Sequence, residues 1–244
     1  MSSAKDPLSN AITPTVQRPS ITRIGECAIM IQFSHQIDRN LPALIAKQRE
    51  RIQQFLTPNP INYVPSYNTL LLEFSPFAFH WPQLQLNLAH LLQPPLASCE
   101  HQVGKSIEIP TYYGAEVALD AQRYQQLSGL SLNQVQTLHT SVCYQVCALG
   151  FAAGFAFMAE VPMPLQLPRL PTPRPKVAKG SVAIAGAQTA IYPNQSPAGW
   201  NIIGRTPTSL YHPQSDPMTL LAPGDRVQFV AISKQQFIQL GGQL

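Results

Sequence analysis

The chain has 244 residues and a formal net charge of +4, enough length for one large domain or two ordinary ones. The basic excess is mild and forms no stripe or run, which sets nucleic acid aside as a partner. No segment reaches the ~18 apolar residues of a membrane span. The polar start MSSAKDPLSNAITPTVQRPS lacks the apolar stretch of a secretory signal, so a cytoplasmic protein is expected.

Charged residues make up 11% of the chain, well below the roughly 25% of a typical soluble domain. Two readings fit: a surface partly covered by a partner, or a surface whose polarity is carried by Gln. The four cysteines, Cys27, Cys99, Cys143 and Cys147, suit small hydrophobes in a reducing compartment. On a strand, Cys143 and Cys147 would lie ~13 Å apart, too far for a disulfide. His139 has no companion histidine beside them, and no metal site is expected.

In chain order, residues 1–18 are polar and aperiodic and read as a disordered tail. Cys27 to Phe33 suits a strand. Asp38 is placed to cap a helix whose stripe runs through Leu41, Leu44, Ile45, Ile52 and Phe55. Two strands follow at 61–64 and 69–74, a helix at 81–93 with Pro82 in its first turn, and a strand at 106–113. The order is βαββαβ, a small α/β domain over 19–100, with a break at LLQPPLASCEHQVGK.

Two short helices come next, one closed by Gly129 and one opened by Ser131 with Gln134 at capping-box spacing. His139 stands at the end of the second. Beyond Tyr144 the helical period vanishes. Twelve of the 24 prolines fall between Pro162 and Pro223, separating short β-like runs. That punctuation predicts a closed β-barrel or sandwich over 101–240, with prolines in its connections. The class is α+β.

The chain carries no G-x-S-x-G elbow, Walker A loop or dinucleotide fingerprint. The densest polar group lies in LPRLPTPRPKVAKGSVAIAGAQTAIYPNQSPAGWNIIGRTP. It offers Arg169, Arg174, Lys176 and Lys179, then Gln188, Thr189 and Tyr192 beside small residues. Such a set suits a small anionic amide, since Arg clamps carboxylates and Gln and Thr bond amides. The alternative reading is solvated loop charges and a Gln that satisfies barrel backbone. His139 is open to two readings as well, a helix-end charge partner or a proton-transfer group.

At these residues a family resemblance emerges. GFAAGFAFM, TPRPKVAKGSVAIAGAQTAIYP, SPAGWNIIGRTP and LLAPGDRVQFVAI resemble the blocks of one family. Its members are known as the 5-oxoprolinase B subunit, allophanate hydrolase subunit 1 and the sporulation-kinase inhibitor. GECAIMIQF, VPSYNTLLLEFSP and SLNQVQTLHTS match its earlier blocks. The resemblance implies a small α/β domain followed by a cyclophilin-like barrel. It also implies partner subunits A and C, which together with this chain open 5-oxo-L-proline to L-glutamate using ATP that this chain alone does not bind. On the same basis His139 and Gln188 are expected to be catalytic, and Arg174, Thr189, Tyr192 and Arg205 to hold substrate. The chain departs from the family at Ala153 and Ala156, where Pro is usual, and at Ala187, Ala190 and Ala198, where Gly is usual. The methyl groups gained over Gly, together with the two changes from Pro, are expected to narrow the pocket or alter its substrate. Two alternatives remain within the resemblance: a regulatory protein that inhibits a histidine kinase, and a component of a related urea, allophanate or carboxyltransferase complex.

Overall fold

A computed structural model describes residues 18–35, 41–93 and 104–244. The expected tail before residue 18, the Asp38 cap and the break around residue 100 lie outside the described residues. The first unit contains β1 (Ser20–Ile24), β2 (Ala28–Gln32), α1 (Leu41–Phe55), β3 (Asn62–Pro65), β4 (Thr69–Glu73) and α2 (Trp81–Leu91). Its strands form an antiparallel sheet in the order β1-β2-β4-β3. Alternation sends Ile29, Ile31, Leu70 and Leu72 to one face, where they bury against Ile45 and Ile52 of α1 and Leu84 and Leu88 of α2.

The element order here is ββαββα rather than βαββαβ. β1 is a short edge strand with little burial, so it leaves no alternating apolar signal. The strand expected to complete the small domain, β5 (Ser106–Thr111), belongs to the other sheet. It pairs in parallel with β13 (Arg226–Ala231), from Arg226 opposite Ser106 to Ala231 opposite Thr111. A partner that distant in sequence leaves no local trace.

The second unit continues through α3 (Ala121–Ser128), α4 (Leu132–Thr140), β6 (Cys143–Leu149), β7 (Ala156–Ala159), β8 (Arg174–Val177), β9 (Ser181–Ala185), β10 (Gln188–Ile191), β11 (Ser196–Ala198) and β12 (Asn201–Arg205), then β13 and α5 (Lys234–Gln239). Its main sheet runs β12-β9-β10-β7-β6-β13-β5. The sheet curls until its two ends meet: Tyr112, just past β5, and Arg205, at the end of β12, exchange both backbone hydrogen bonds at 2.8 Å. Joining the edges removes unpaired strand groups that would otherwise face solvent. Gly204 permits the approach, because a Cβ there would lie 2.8 Å from the Tyr112 carbonyl oxygen.

Ile109, Tyr144, Val146, Met158, Ile184, Ile191, Ile203, Val227 and Phe229 fill the interior of this second unit. The capping box forms as expected: the Ser131 hydroxyl accepts from the Gln134 N–H, and the Gln134 side chain accepts from the Ser131 N–H. Gly129, at φ 71°, ends α3 in the left-handed conformation. Not every proline is in a connection. Pro175 and Pro197 lie in β8 and β11, a two-stranded ribbon whose free edges need no N–H. No helix among the described residues is long and apolar enough to cross a membrane.

Candidate functional site

Among the residues singled out from the sequence, His139 and Thr189 come together, but inside the barrel. α4 delivers His139 to a fully buried position among Tyr113, Tyr144 and Phe229. Its Nδ1 lies 2.7 Å from the Tyr113 hydroxyl and its Nε2 3.0 Å from Thr189 Oγ1. Thr189 spends its own proton on the Ala183 carbonyl at 3.0 Å, so Nε2 must carry the imidazole proton and Tyr113 must donate to Nδ1. The result is a closed relay: Tyr113 to His139 to Thr189 to backbone. Burial lowers the His139 pKa to about 3, so the ring is neutral. With both nitrogens used and no exposed surface, His139 organises the core in this arrangement.

Arg174 is also committed. Its guanidinium pairs at 2.7 Å with Asp120, a buried carboxylate whose other oxygen accepts the Ile202 N–H at 2.7 Å. Asn201 beside it donates to the Pro168 and Ile184 carbonyls and accepts from Arg123. These contacts lock the 168–174 connection and β12 to the start of α3. Arg205 donates to the Gln243 carbonyl at 2.7 Å, which ties the end of the chain to the barrel seam.

Gln188 points a different way, toward the first unit. Its amide donates to the Tyr67 hydroxyl at 2.5 Å. Burial raises the Tyr67 pKa, an effect that Gln188 opposes. Cys147 is near the same junction, and burial pushes its thiol up to about 11. It is therefore an inert core thiol. No group of three His, Cys, Asp or Glu among the described residues is placed to hold a metal ion.

Tyr192 belongs to a third place, an open cleft of about 320 Å³ on the barrel surface. Phe151, Phe155, Phe157, Tyr192 and Trp200 line it, with Arg169 at the rim. The rings brace one another edge to face: Phe155 lies 5.3 Å from Tyr192 and 5.8 Å from Trp200, centroid to centroid. The Arg169 guanidinium sits over the Trp200 ring at 5.6 Å. Burial lifts the Tyr192 hydroxyl to about 12, against the opposing charge of Arg169. Phe151 has φ 67° and is 69% exposed. A bulky residue in that region costs on the order of 1–3 kcal/mol, a strain that accumulates at functional sites.

Sequence reasoning named Arg169 and Tyr192 among many candidates and read Trp200 as core or rim packing, but missed Phe151 and Phe155 as walls. Aromatic residues in apolar runs read as core, and only the packing of the β6–β7 turn against the β11–β12 turn sets Phe151 and Phe155 beside Trp200.

Comparison with known proteins places this architecture. The family model for the carboxyltransferase domain, subdomain C and D, matches residues 19–221. The chain belongs to that carboxyltransferase domain family. It is 33% identical over 235 residues to the 5-oxoprolinase B subunit of Bacillus subtilis (strain 168), covering 90% of this chain and 95% of that relative. It is 36% identical over 221 residues to the 5-oxoprolinase B subunit of Escherichia coli O157:H7, covering 88% and 97%. Among solved structures, TTHA0988 superposes with a TM-score of 0.72 at 35% identity. That match covers 84% of this chain and 40% of the longer TTHA0988 chain. Kluyveromyces lactis urea carboxylase shares the fold, with a TM-score of 0.69 at 18% identity over 91% of this chain and 22% of that one.

Of the five alanines that the family resemblance marks as departures, one lines the cleft. Ala198 forms part of its wall, and Ala190 lies in the layer beneath. Ala156 is in the barrel core, and the Ala187 carbonyl accepts the Val161 N–H. Ala153 is exposed. None of the five has positive φ, so each position accepts a Cβ without backbone strain.

Proposed function

We propose that this chain is the B-type component of an ATP-dependent 5-oxoprolinase, acting with subunits A and C in the cytoplasm to open 5-oxo-L-proline to L-glutamate. One observation carries the reading: the nearly end-to-end match with curated 5-oxoprolinase B subunits, 90% of this chain against 95% of the Bacillus subtilis protein. A lactam is resonance-stabilised, so its carbonyl oxygen must be activated before water opens the ring. ATP supplies that activation. Among the barrel's cations, Arg174 is held by Asp120 and Arg205 donates to the Gln243 carbonyl, and the chain carries no Walker A loop to cradle a triphosphate. Both features support a reading in which a partner uses the ATP and this chain binds and orients the substrate. The neutral, enclosed His139 supports the same division of labour.

The test is reconstitution. Purified alone, the chain should release no glutamate from 5-oxoproline and ATP; mixed with A and C subunits of its own organism, it should co-elute with them and be required for turnover. Full turnover by the isolated chain, or by A and C without it, would overturn the proposal.

A further inference from the structure

We infer that the aromatic cleft is a binding site for a small ring compound bearing a carboxylate, with Arg169 meeting the anion and Phe155, Tyr192 and Trp200 enclosing the ring. The choice of 5-oxoproline as the natural occupant rests on the function proposed above; the chemistry of the site does not.

Three observations converge. The first is shape. A cavity of about 320 Å³ is at the small end of the roughly 300–1,000 Å³ range of ligand sites, room for one small ring. Its walls are preformed, since Phe155, Tyr192 and Trp200 are nearly buried and hold one another in edge-to-face contact. Faces of this kind take the C–H groups of a saturated ring or the face of a planar one.

The second is charge. Arg169 is exposed and stacked over Trp200, which leaves the N–H edge of its guanidinium available. No carboxylate among the described residues forms an ion pair with it, whereas Arg174, five residues on, is fixed by Asp120. A planar guanidinium bonds a carboxylate through two parallel N–H groups, so Arg169 selects an acid over the same ring without one.

The third is Phe151. It combines a left-handed backbone with a large exposed apolar ring at the mouth of the cleft, 5.2 Å from Phe155 and 6.4 Å from Tyr192. Both features are unfavourable in the free protein. An occupant beneath the ring would offset the second by covering its apolar face.

Trp200 reports on the site directly. The chain has two tryptophans, so Trp81→Phe leaves Trp200 as the sole indole, excited selectively on the red side of tyrosine absorption. Titration with 5-oxo-L-proline and with cyclopentanecarboxylate should change its fluorescence saturably, while 2-pyrrolidinone, the same lactam without the acid, should bind at least about tenfold more weakly. Arg169→Gln should weaken both acids by about tenfold or more and leave 2-pyrrolidinone unchanged, with Arg169→Lys in between. Calorimetry on the unaltered chain repeats the titration without the Trp81 change. Absence of saturable binding by both acids overturns the inference, as does an Arg169→Gln chain that binds them unchanged. Saturation by a proline-containing tetrapeptide but by neither acid also overturns it and marks a peptide groove. Cyclopentanecarboxylate binding without 5-oxoproline turnover by the reconstituted subunits leaves the cleft standing and removes the proposed function. Turnover whose KM is untouched by Arg169→Gln does the reverse.

Discussion

The Gln188 side chain, at the start of β10, donates to the Tyr67 hydroxyl at 2.5 Å and so joins the barrel to the hairpin tip between β3 and β4. A residue that the family resemblance marks for catalysis is thus a tie between the two units. Gln188→Ala and Tyr67→Phe should each destabilise the chain by about 1 kcal/mol, the usual net value of one such bond. The double variant should lose less than the sum, because both changes delete one interaction. Denaturant unfolding of the parent, the two single variants and the double variant measures the coupling; strict additivity would show that the bond contributes nothing.

His139 makes stability depend on acid. Its pKa falls from 6.5 to about 3 on burial, so the unfolded chain binds the proton more tightly than the folded one. Its contribution is complete above about pH 6.5 and is lost as pH falls toward 3, at up to about 1.4 kcal/mol per pH unit in that window. Across neutral pH the ring should not titrate by NMR. His139→Gln keeps a donor and an acceptor but has no proton to gain, so its unfolding midpoint should fall less steeply between pH 6 and 4 than that of the parent chain.

The Arg174–Asp120 pair should behave as architecture. Asp120 is buried and Arg174 is 28% exposed, so Arg174→Ala strands a carboxylate that retains only its backbone donor. A loss of about 2 kcal/mol is expected, below the roughly 3–5 kcal/mol of a fully enclosed pair because solvent reaches the guanidinium. Thermal unfolding should show a lower Tm for Arg174→Ala. Binding of small acids to the folded variant should be unchanged, in contrast to Arg169→Gln.

Closure of the barrel rests on one small residue. A methyl group at Gly204 would lie 2.8 Å from the Tyr112 carbonyl oxygen and 3.1 Å from the Tyr113 ring. Gly204→Ala should therefore push the seam apart and destabilise the fold by about 1–3 kcal/mol, as overpacking does. Hydrogen exchange should locate the damage at the Tyr112 and Arg205 amides. Unchanged protection there would show that the seam does not depend on Gly204.

What the sequence by itself determined was local. The short apolar runs AIMIQ and TLLLE read as strands, and a four-residue spacing put Ile45 on the same stripe as Leu41. The Ser131–Gln134 box and Gly129 marked their helix ends, because caps are satisfied by residues three or four apart. The ordered blocks from GECAIMIQF to LLAPGDRVQFVAI pointed to the family. Only the tertiary structure moved β5 into the barrel and joined Tyr112 to Arg205, since those pairings reach across about a hundred residues and leave no periodic signal. It also divided the expected site. His139 and Thr189 became a neutral core relay, Arg174 and Gln188 became ties, and Tyr192 joined Phe151, Phe155, Trp200 and Arg169 around the cleft. Residue type sets what a side chain can bond, but burial and the partner it meets first decide what it does, and both follow from how distant segments pack.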